Sequence, residues 1–169
     1  GADDYRKLAE AGHEIACHTY SHLDCGQAAG DEVAADVNAN AEAFRAWGVP
    51  EAQTFAYPYG DVSPATKPAL ASRFRLLRAL HKGVIVKGSD LNQTPGVGVE
   101  GPDGEAVARR WIKVAKRRNA WLILYTHDVR DQPSPWGCTP EAWGRLVDDG
   151  LKAGFDVVTV AEGARRLGL

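Results

Sequence analysis

The chain has 169 residues, 44% hydrophobic and 25% charged, which suits one globular domain with a real core and excludes a disordered or fibrous chain. A net charge of −2 and a pI near 6.2 argue against a dedicated nucleic-acid or acidic-membrane binder. No apolar run approaches the ~20 residues that a membrane span needs. The sequence opens on Gly1 and contains no methionine, which reads as a boundary within a longer polypeptide. The N-terminus therefore carries no address, and envelope, secreted and cytoplasmic locations all stay open.

Taken in order, Asp3 to Ala11 predicts a short helix closed by Gly12, and His13 to Cys17 a strand. Asp31 to Trp47 predicts a longer helix, with Val33, Val37, Ala41, Phe44 and Trp47 at helical spacing, stopped by Gly48 and Pro50. Gln53 to Tyr57 reads as a strand, and Ser63-Pro64 opens a helix running to about Ser72. Phe74–Leu80 and Gly83–Val86 are short apolar runs of strand type, and 92–104, rich in Gly and Pro, reads as a loop.

A helix follows to Arg118 with Val107, Trp111, Val114 and Ala115 inward. Lys113, Lys116, Arg117 and Arg118 in its last turns suit the helix dipole and read as a solvated face. Trp121 to Thr126 is a buried strand, and Gln132 to Pro140 a loop. Thr139-Pro140-Glu141 is a helix start, and Trp143, Leu146, Val147 and Leu151 form the stripe of the helix it opens. Asp156–Val160 reads as a last strand and Ala161–Leu167 as a last helix. Strands alternating with helices predict parallel strands with crossover helices, an α/β barrel or open α/β sheet. No repeat or composition shift divides the chain, so 1–169 reads as a single domain.

The polar residues with chemistry stand just after the strands. His18 and His22 are four apart. On a helical turn that spacing brings two imidazoles to about 5–6 Å at Cβ, close enough to share a metal ion. On a strand it would spread them over roughly 13 Å. The pair is a metal site only if the chain curls at Thr19–Ser21; otherwise these are two surface histidines. Cys17, Cys25 and Cys138 are an odd count without a closed disulfide framework. Cys17 and Cys25 flank the histidines, but Cys-His-x-x-x-His-x-x-Cys is not a zinc-finger spacing. Tyr57-Pro58-Tyr59-Gly60 follows one strand as a turn, and His127-Asp128 ends another.

His18-Thr19-Tyr20-Ser21-His22, Tyr57-Pro58-Tyr59-Gly60 and the run Leu122 to His127 occur in the order found in the polysaccharide deacetylases (NodB homology domain, carbohydrate esterase family 4), and the chain resembles that family from about Gly12 to Val160. The resemblance implies a distorted (β/α)7 barrel. It implies a divalent metal, most simply zinc, on His18 and His22. It also implies an oxyanion donor in the backbone N–H of Tyr59, set by Pro58, and His127 as the acid that protonates the leaving amine. A carboxylate in the family's fourth motif supports the protonated form of that histidine. Asp90 in Ser89-Asp90-Leu91 is the candidate, although the motif's tryptophan is absent; Asp128 competes as a plain loop cap. Trp136 is the tryptophan in a loop beside a motif and so a candidate to stack on a sugar, whereas Trp47, Trp111 and Trp143 read as core.

Two departures from the family stand out. Its Asp-Asp pair, catalytic base and third metal ligand, lies at the end of a first strand that His18 stands too near Gly1 to allow. The expectation is a barrel whose first strands are absent from residues 1–169, a segment inactive or nearly so by itself, with apolar surface exposed around Ile15, Val33 and Phe55. The second departure is Ala56, where the family often has an arginine; Arg73, Arg75 and Arg78 are the candidates to replace it. The implied reaction is metal-dependent removal of N-acetyl groups from a glycan, with no nucleic acid and no membrane span involved and the oligomeric state open. A non-catalytic carbohydrate-binding or interaction domain of the same fold is the alternative, and hydrolysis of a small amide or cyclic imide a further one.

Overall fold

The computed structural model describes residues 1–167. Its elements are α1 (Ala2–Glu10), α2 (Gly30–Ala46), β1 (Thr54–Ala56), α3 (Thr66–Ala71), β2 (Leu76–Arg78), β3 (Val97–Gly98), α4 (Gly104–Arg118), β4 (Leu124–Tyr125), α5 (Pro140–Lys152) and α6 (Val160–Arg166). Two compact units divide them: 1–79 with 90–94 and 159–169, and 80–89 with 95–158.

In the first unit β1 and β2 run parallel, Thr54 opposite Leu76 and Ala56 opposite Arg78. Phe55, Leu76 and Leu77 are buried, as expected for a parallel pair covered on both faces. The expected strand His13–Cys17 pairs only at Cys17, whose N–H donates to the Thr54 carbonyl at 3.0 Å. Val33, Val37, Phe55, Tyr57 and Leu70 fill one core with Cys17 and Cys25. Val33 and Phe55 are thus sealed in that core, not exposed as expected, and Ile15 is half-buried.

In the second unit β3 and β4 run parallel, Val97 opposite Leu124 and Gly98 opposite Tyr125. The Gly- and Pro-rich stretch 92–104 therefore holds a strand as well as a loop. Val97 and Val99 are fully buried, and that burial holds a two-residue strand that turn chemistry conceals. Helix α4 turns Ala108, Ile112 and Ala115 into the core, while Val107, Trp111 and Val114 are only half-buried. The true face lies about one residue round from the expected one, because α4 packs on α5 through its small side chains. Along α5, Ala142 and Leu146 are buried and Leu151 is exposed. Residues 156–159 form no strand. Val157 is 65% exposed, and an apolar run becomes a strand only where a partner edge meets it.

Candidate functional site

In the first unit, the Cys17–Phe55 bridge carries the chain past the C-terminal end of β1, the usual place for a site in α/β folds. His18 stands one residue beyond it. Its Nδ1 donates to the Ala56 carbonyl at 2.6 Å, which leaves Nε2 as the lone-pair nitrogen. The chain then curls as a shared metal requires: Thr19 and His22 adopt left-handed backbone at φ 62° and 60°. The two imidazoles come to 4.9 Å between ring centres, edge to face at 76°. Tyr59, left-handed at φ 57° in the turn Pro58–Gly60, sets its ring edge-on to His22 at 4.7 Å. Of the four described non-glycine residues with positive φ, three stand in these two turns. A left-handed β-branched residue such as Thr19 is strained, and such strain gathers at functional sites.

Asp36 on α2 offsets that strain, and nothing in the sequence pattern announced it. Its carboxylate accepts from the Tyr20 N–H at 2.5 Å, the Ser21 N–H at 3.0 Å and the Ser21 hydroxyl at 2.7 Å. Partial burial pushes its pKa up, but these donors and the Thr19 hydroxyl outweigh it and hold the group below its ordinary value. Thr19 Oγ1 in turn accepts from the Leu23 N–H at 2.9 Å. The loop between the histidines is thus tied at both ends.

In the second unit, extending the β3–β4 register by two residues places Glu100 opposite His127. There His127 Nδ1 meets Glu100 Oε1 at 2.9 Å. Gly98 makes room for that carboxylate, since a Cβ there would stand 2.8 Å from Glu100 Oε2. The carboxylate on His127 is therefore Glu100 and not Asp90. Asp90 belongs to the first unit, paired with Lys67 and accepting from the Asn92 N–H. That Lys67 hydrogen bond holds its pKa below the ordinary carboxylate value. Glu100 was missed because its strand was read as loop; the signal was the apolar alternation Val97-Gly98-Val99 just before it.

Asp128 caps the loop, as its plainer reading had it. Its carboxylate accepts from Ser134 N–H and Oγ and pairs with Arg130. A Cβ on Gly137 would lie 1.6 Å from Asp128 Oδ1, so only glycine fits there. This ties the loop of Trp136, which is 63% exposed with its ring 6.4 Å from that of His127. A cleft of about 480 Å3 runs beside the loop, lined by Gly101, Pro102, Ser134, Pro135 and Arg145 among others. Of the arginines considered for Ala56, Arg73 is held by Asn38 and the Ala34 carbonyl of α2.

Two imidazoles at this separation, one with Nδ1 engaged and Nε2 presented, fit as part of a zinc ligand set. Among the described residues no group of three His, Cys, Asp or Glu side chains gathers around one point, so the pair accounts for two ligands only.

The family model for polysaccharide deacetylase matches residues 1–73. Among solved structures, a protein from Mycobacterium smegmatis described as a polysaccharide deacetylase aligns with a TM-score of 0.66 at 16% identity, over 99% of this chain and 68% of that one. The Xyl-CE4 domain of a multidomain xylanase, from the hindgut metagenome of Trinervitermes trinervoides, aligns at 0.65 and 16%, over 99% and 71%. A CE4 family pseudoenzyme from Bacillus anthracis aligns at 0.58 and 13%, over 95% and 50%. At such identities the likeness is one of fold, the distorted barrel of these proteins. Comparison with curated protein sequences finds no match.

Proposed function

We propose that this chain, whose residues 1–73 match the family model for polysaccharide deacetylase and whose fold resembles that of carbohydrate esterase family 4 proteins, removes N-acetyl groups from an N-acetylated glycan. The reading rests above all on the paired imidazoles of His18 and His22, 4.9 Å apart, with His18 Nδ1 on the Ala56 carbonyl. These two rings would hold a divalent ion, most simply zinc. When bound, such an ion supplies Lewis acidity to the acetyl carbonyl. The backbone N–H of Tyr59, in the turn set by Pro58, donates to the oxyanion that forms as water adds to that carbonyl. His127 gives the leaving amine its proton, and Glu100 stabilises the imidazolium before transfer and orients the ring. Trp136 offers an exposed aromatic face to a neighbouring sugar.

A second reading is a non-catalytic carbohydrate-binding domain. It is favoured by Ala56 in the place of the family's arginine and by the absence of a third metal donor among the described residues. One experiment separates the two: acetate release from N-acetylglucosamine oligomers, with added Zn2+, by a polypeptide containing residues 1–169 and whatever precedes them. Release abolished by His18→Ala and by His127→Ala supports the deacetylase. Glycan binding without acetate release, with Zn2+, Co2+ or Mn2+ alike, sinks it in favour of the binding domain. Residues 1–169 alone are expected to release little acetate, because among the described residues no third ligand joins the two histidines.

A further inference from the structure

The second unit carries a charged cleft that the deacetylase reading does not use. Helix α4 holds Arg109, Arg110, Lys113, Lys116, Arg117 and Arg118 against one carboxylate, Glu105, in a chain of net charge −2. Between α4 and the last turn of α5 lies a cleft of about 630 Å3, lined by Arg109, Lys113, Lys116, Arg117, Lys152 and Asp149 with the apolar Ile112 and Ala153. Arg109 pairs with Asp149 and with Glu105, each at 3.0 Å, so the one acid of the cleft is already neutralised. Among the described residues, Lys113, Lys116, Arg117 and Lys152 have no carboxylate partner.

The helix dipole does not account for them. Each C-terminus carries about half a negative charge, felt within its last turn, so two of them call for about one cation. Here four unpaired cations share one cleft. Lys113 and Arg117 stand i,i+4 on one helix and repel each other unless an anion lies between them. The apolar wall of Ile112 and Ala153 concentrates their field.

We propose that this cleft binds a linear acidic polysaccharide, a sugar chain that carries its charge as carboxylates. The proposal rests on the deacetylase reading only for the ligand being a glycan. The stripe from Arg109 to Arg117 is about 12 Å long at 1.5 Å per residue, more than one compact anion spans, so the occupant is a chain. Its charge is dispersed: helix C-terminal ends offer carbonyls, not amide donors, and their partial charge opposes a phosphate dianion. A carboxylate is the anion that the cleft already holds, in the pair Arg109–Asp149. No aromatic side chain lines the cleft, so bases have nothing to stack on and nucleic acid is disfavoured.

The test measures binding of oligogalacturonate to the full chain and to the double variant K113E/K116E, both side chains being exposed on α4. Affinity is expected to fall by about tenfold or more in the variant and to weaken with salt in the parent. K113R/K116R is expected to bind as the parent does. K152E reaches the cleft from α5 and is expected to lose affinity too, which guards against a local fault in α4. Acetate release from a neutral N-acetylated oligosaccharide should be unchanged throughout. Unaltered oligogalacturonate binding by both charge-reversal variants overturns the proposal, and so does equal binding of neutral dextran. Tighter binding of single-stranded DNA or polyphosphate also overturns it. Absent acetate release with the charge-dependent binding intact would sink the deacetylase reading and leave the cleft standing.

Discussion

Replacing Asp36 with alanine should loosen the turn that brings His18 and His22 together, without touching either histidine. The carboxylate accepts three hydrogen bonds from Tyr20 and Ser21, the residues between His18 and His22. Each is worth ~0.5–1.5 kcal/mol net, and solvent access argues for the lower half of that range, so the set contributes about 2 kcal/mol. Against it stand two left-handed non-glycine residues, Thr19 and His22, at roughly 1–2 kcal/mol each. Without Asp36 the curled loop loses about 2 kcal/mol, which lowers the equilibrium constant between converged and open imidazoles about 30-fold. The apparent metal dissociation constant should rise several-fold, with about 30-fold as the ceiling, since only the converged form binds. The assay is competition for Co2+ or Zn2+ with a chromophoric chelator at pH 7 to 8. Asp36→Asn keeps one acceptor oxygen and should fall between parent and alanine. The folded pKa of Asp36 is depressed below its ordinary 3.8, so its contribution is fully present above that value. It is lost only as pH falls below it; amide protection of Tyr20 and Ser21 in the metal-free protein should persist to about pH 4 and then collapse. A variant that melts earlier but binds metal within twofold of the parent would refute the reasoning.

Other outcomes follow from the same geometry. Glu100→Gln should lower the rate of acetate release roughly 10- to 100-fold while leaving metal affinity intact, since that carboxylate pairs with His127; equal loss in both measurements would contradict it. Gly137→Ala should cost about 1–3 kcal/mol in urea unfolding and change the emission of Trp136, because the new methyl meets Asp128 at 1.6 Å. Cys17 and Cys25 should resist thiol reagents in the folded chain. Burial pushes both thiols up to about 11, so the thiolate at pH 7 is on the order of one in ten thousand, and fast labelling of the native protein would argue against the core as described. Nitrogen NMR should find His18 as the Nδ1–H tautomer, and added Zn2+ should perturb its Nε2 and not its Nδ1.

What the sequence revealed follows from how local each signal is. Helix α5 was legible because its start is written within four residues: Thr139 accepts from the Ala142 N–H and Pro140 occupies the first turn. Helix α2 was legible because Val33, Val37 and Phe44 repeat at helical period and all prove buried. The buried face of α4 was harder, since apolar residues lie on two adjacent faces. Ranking by size favours Trp111, while burial falls on Ala108, Ile112 and Ala115. Strands were least legible, since pairing between distant segments decides them. Val97–Gly98 is a strand only because Leu124–Tyr125 lies beside it, and 156–159 is none because nothing does. The site inherits this division. His18, His22, Tyr59 and His127 could be named from short motifs. Glu100 needed a register and Asp36 a folded-back loop, and neither exists in one dimension.

The two histidine environments differ in a way that separates their chemistry. Both rings use Nδ1 to hold an oxygen. For His18 the partner is the neutral carbonyl of Ala56. A carbonyl can only accept, so it keeps a proton on Nδ1 and makes Nε2 the ring's lone-pair nitrogen in the neutral tautomer, the nitrogen that a metal would use. For His127 the partner is the carboxylate of Glu100. A carboxylate accepts from Nδ1 and fixes the ring's orientation and tautomer through a charged partner instead of a neutral one. In the proposed deacetylase, the two histidines would be set apart by the charge of one oxygen partner each. Removing that charge, by Glu100→Gln, should leave the ring hydrogen-bonded in place while lowering acetate release if the proposed role holds, a contact that spacing in the sequence alone could not have anticipated.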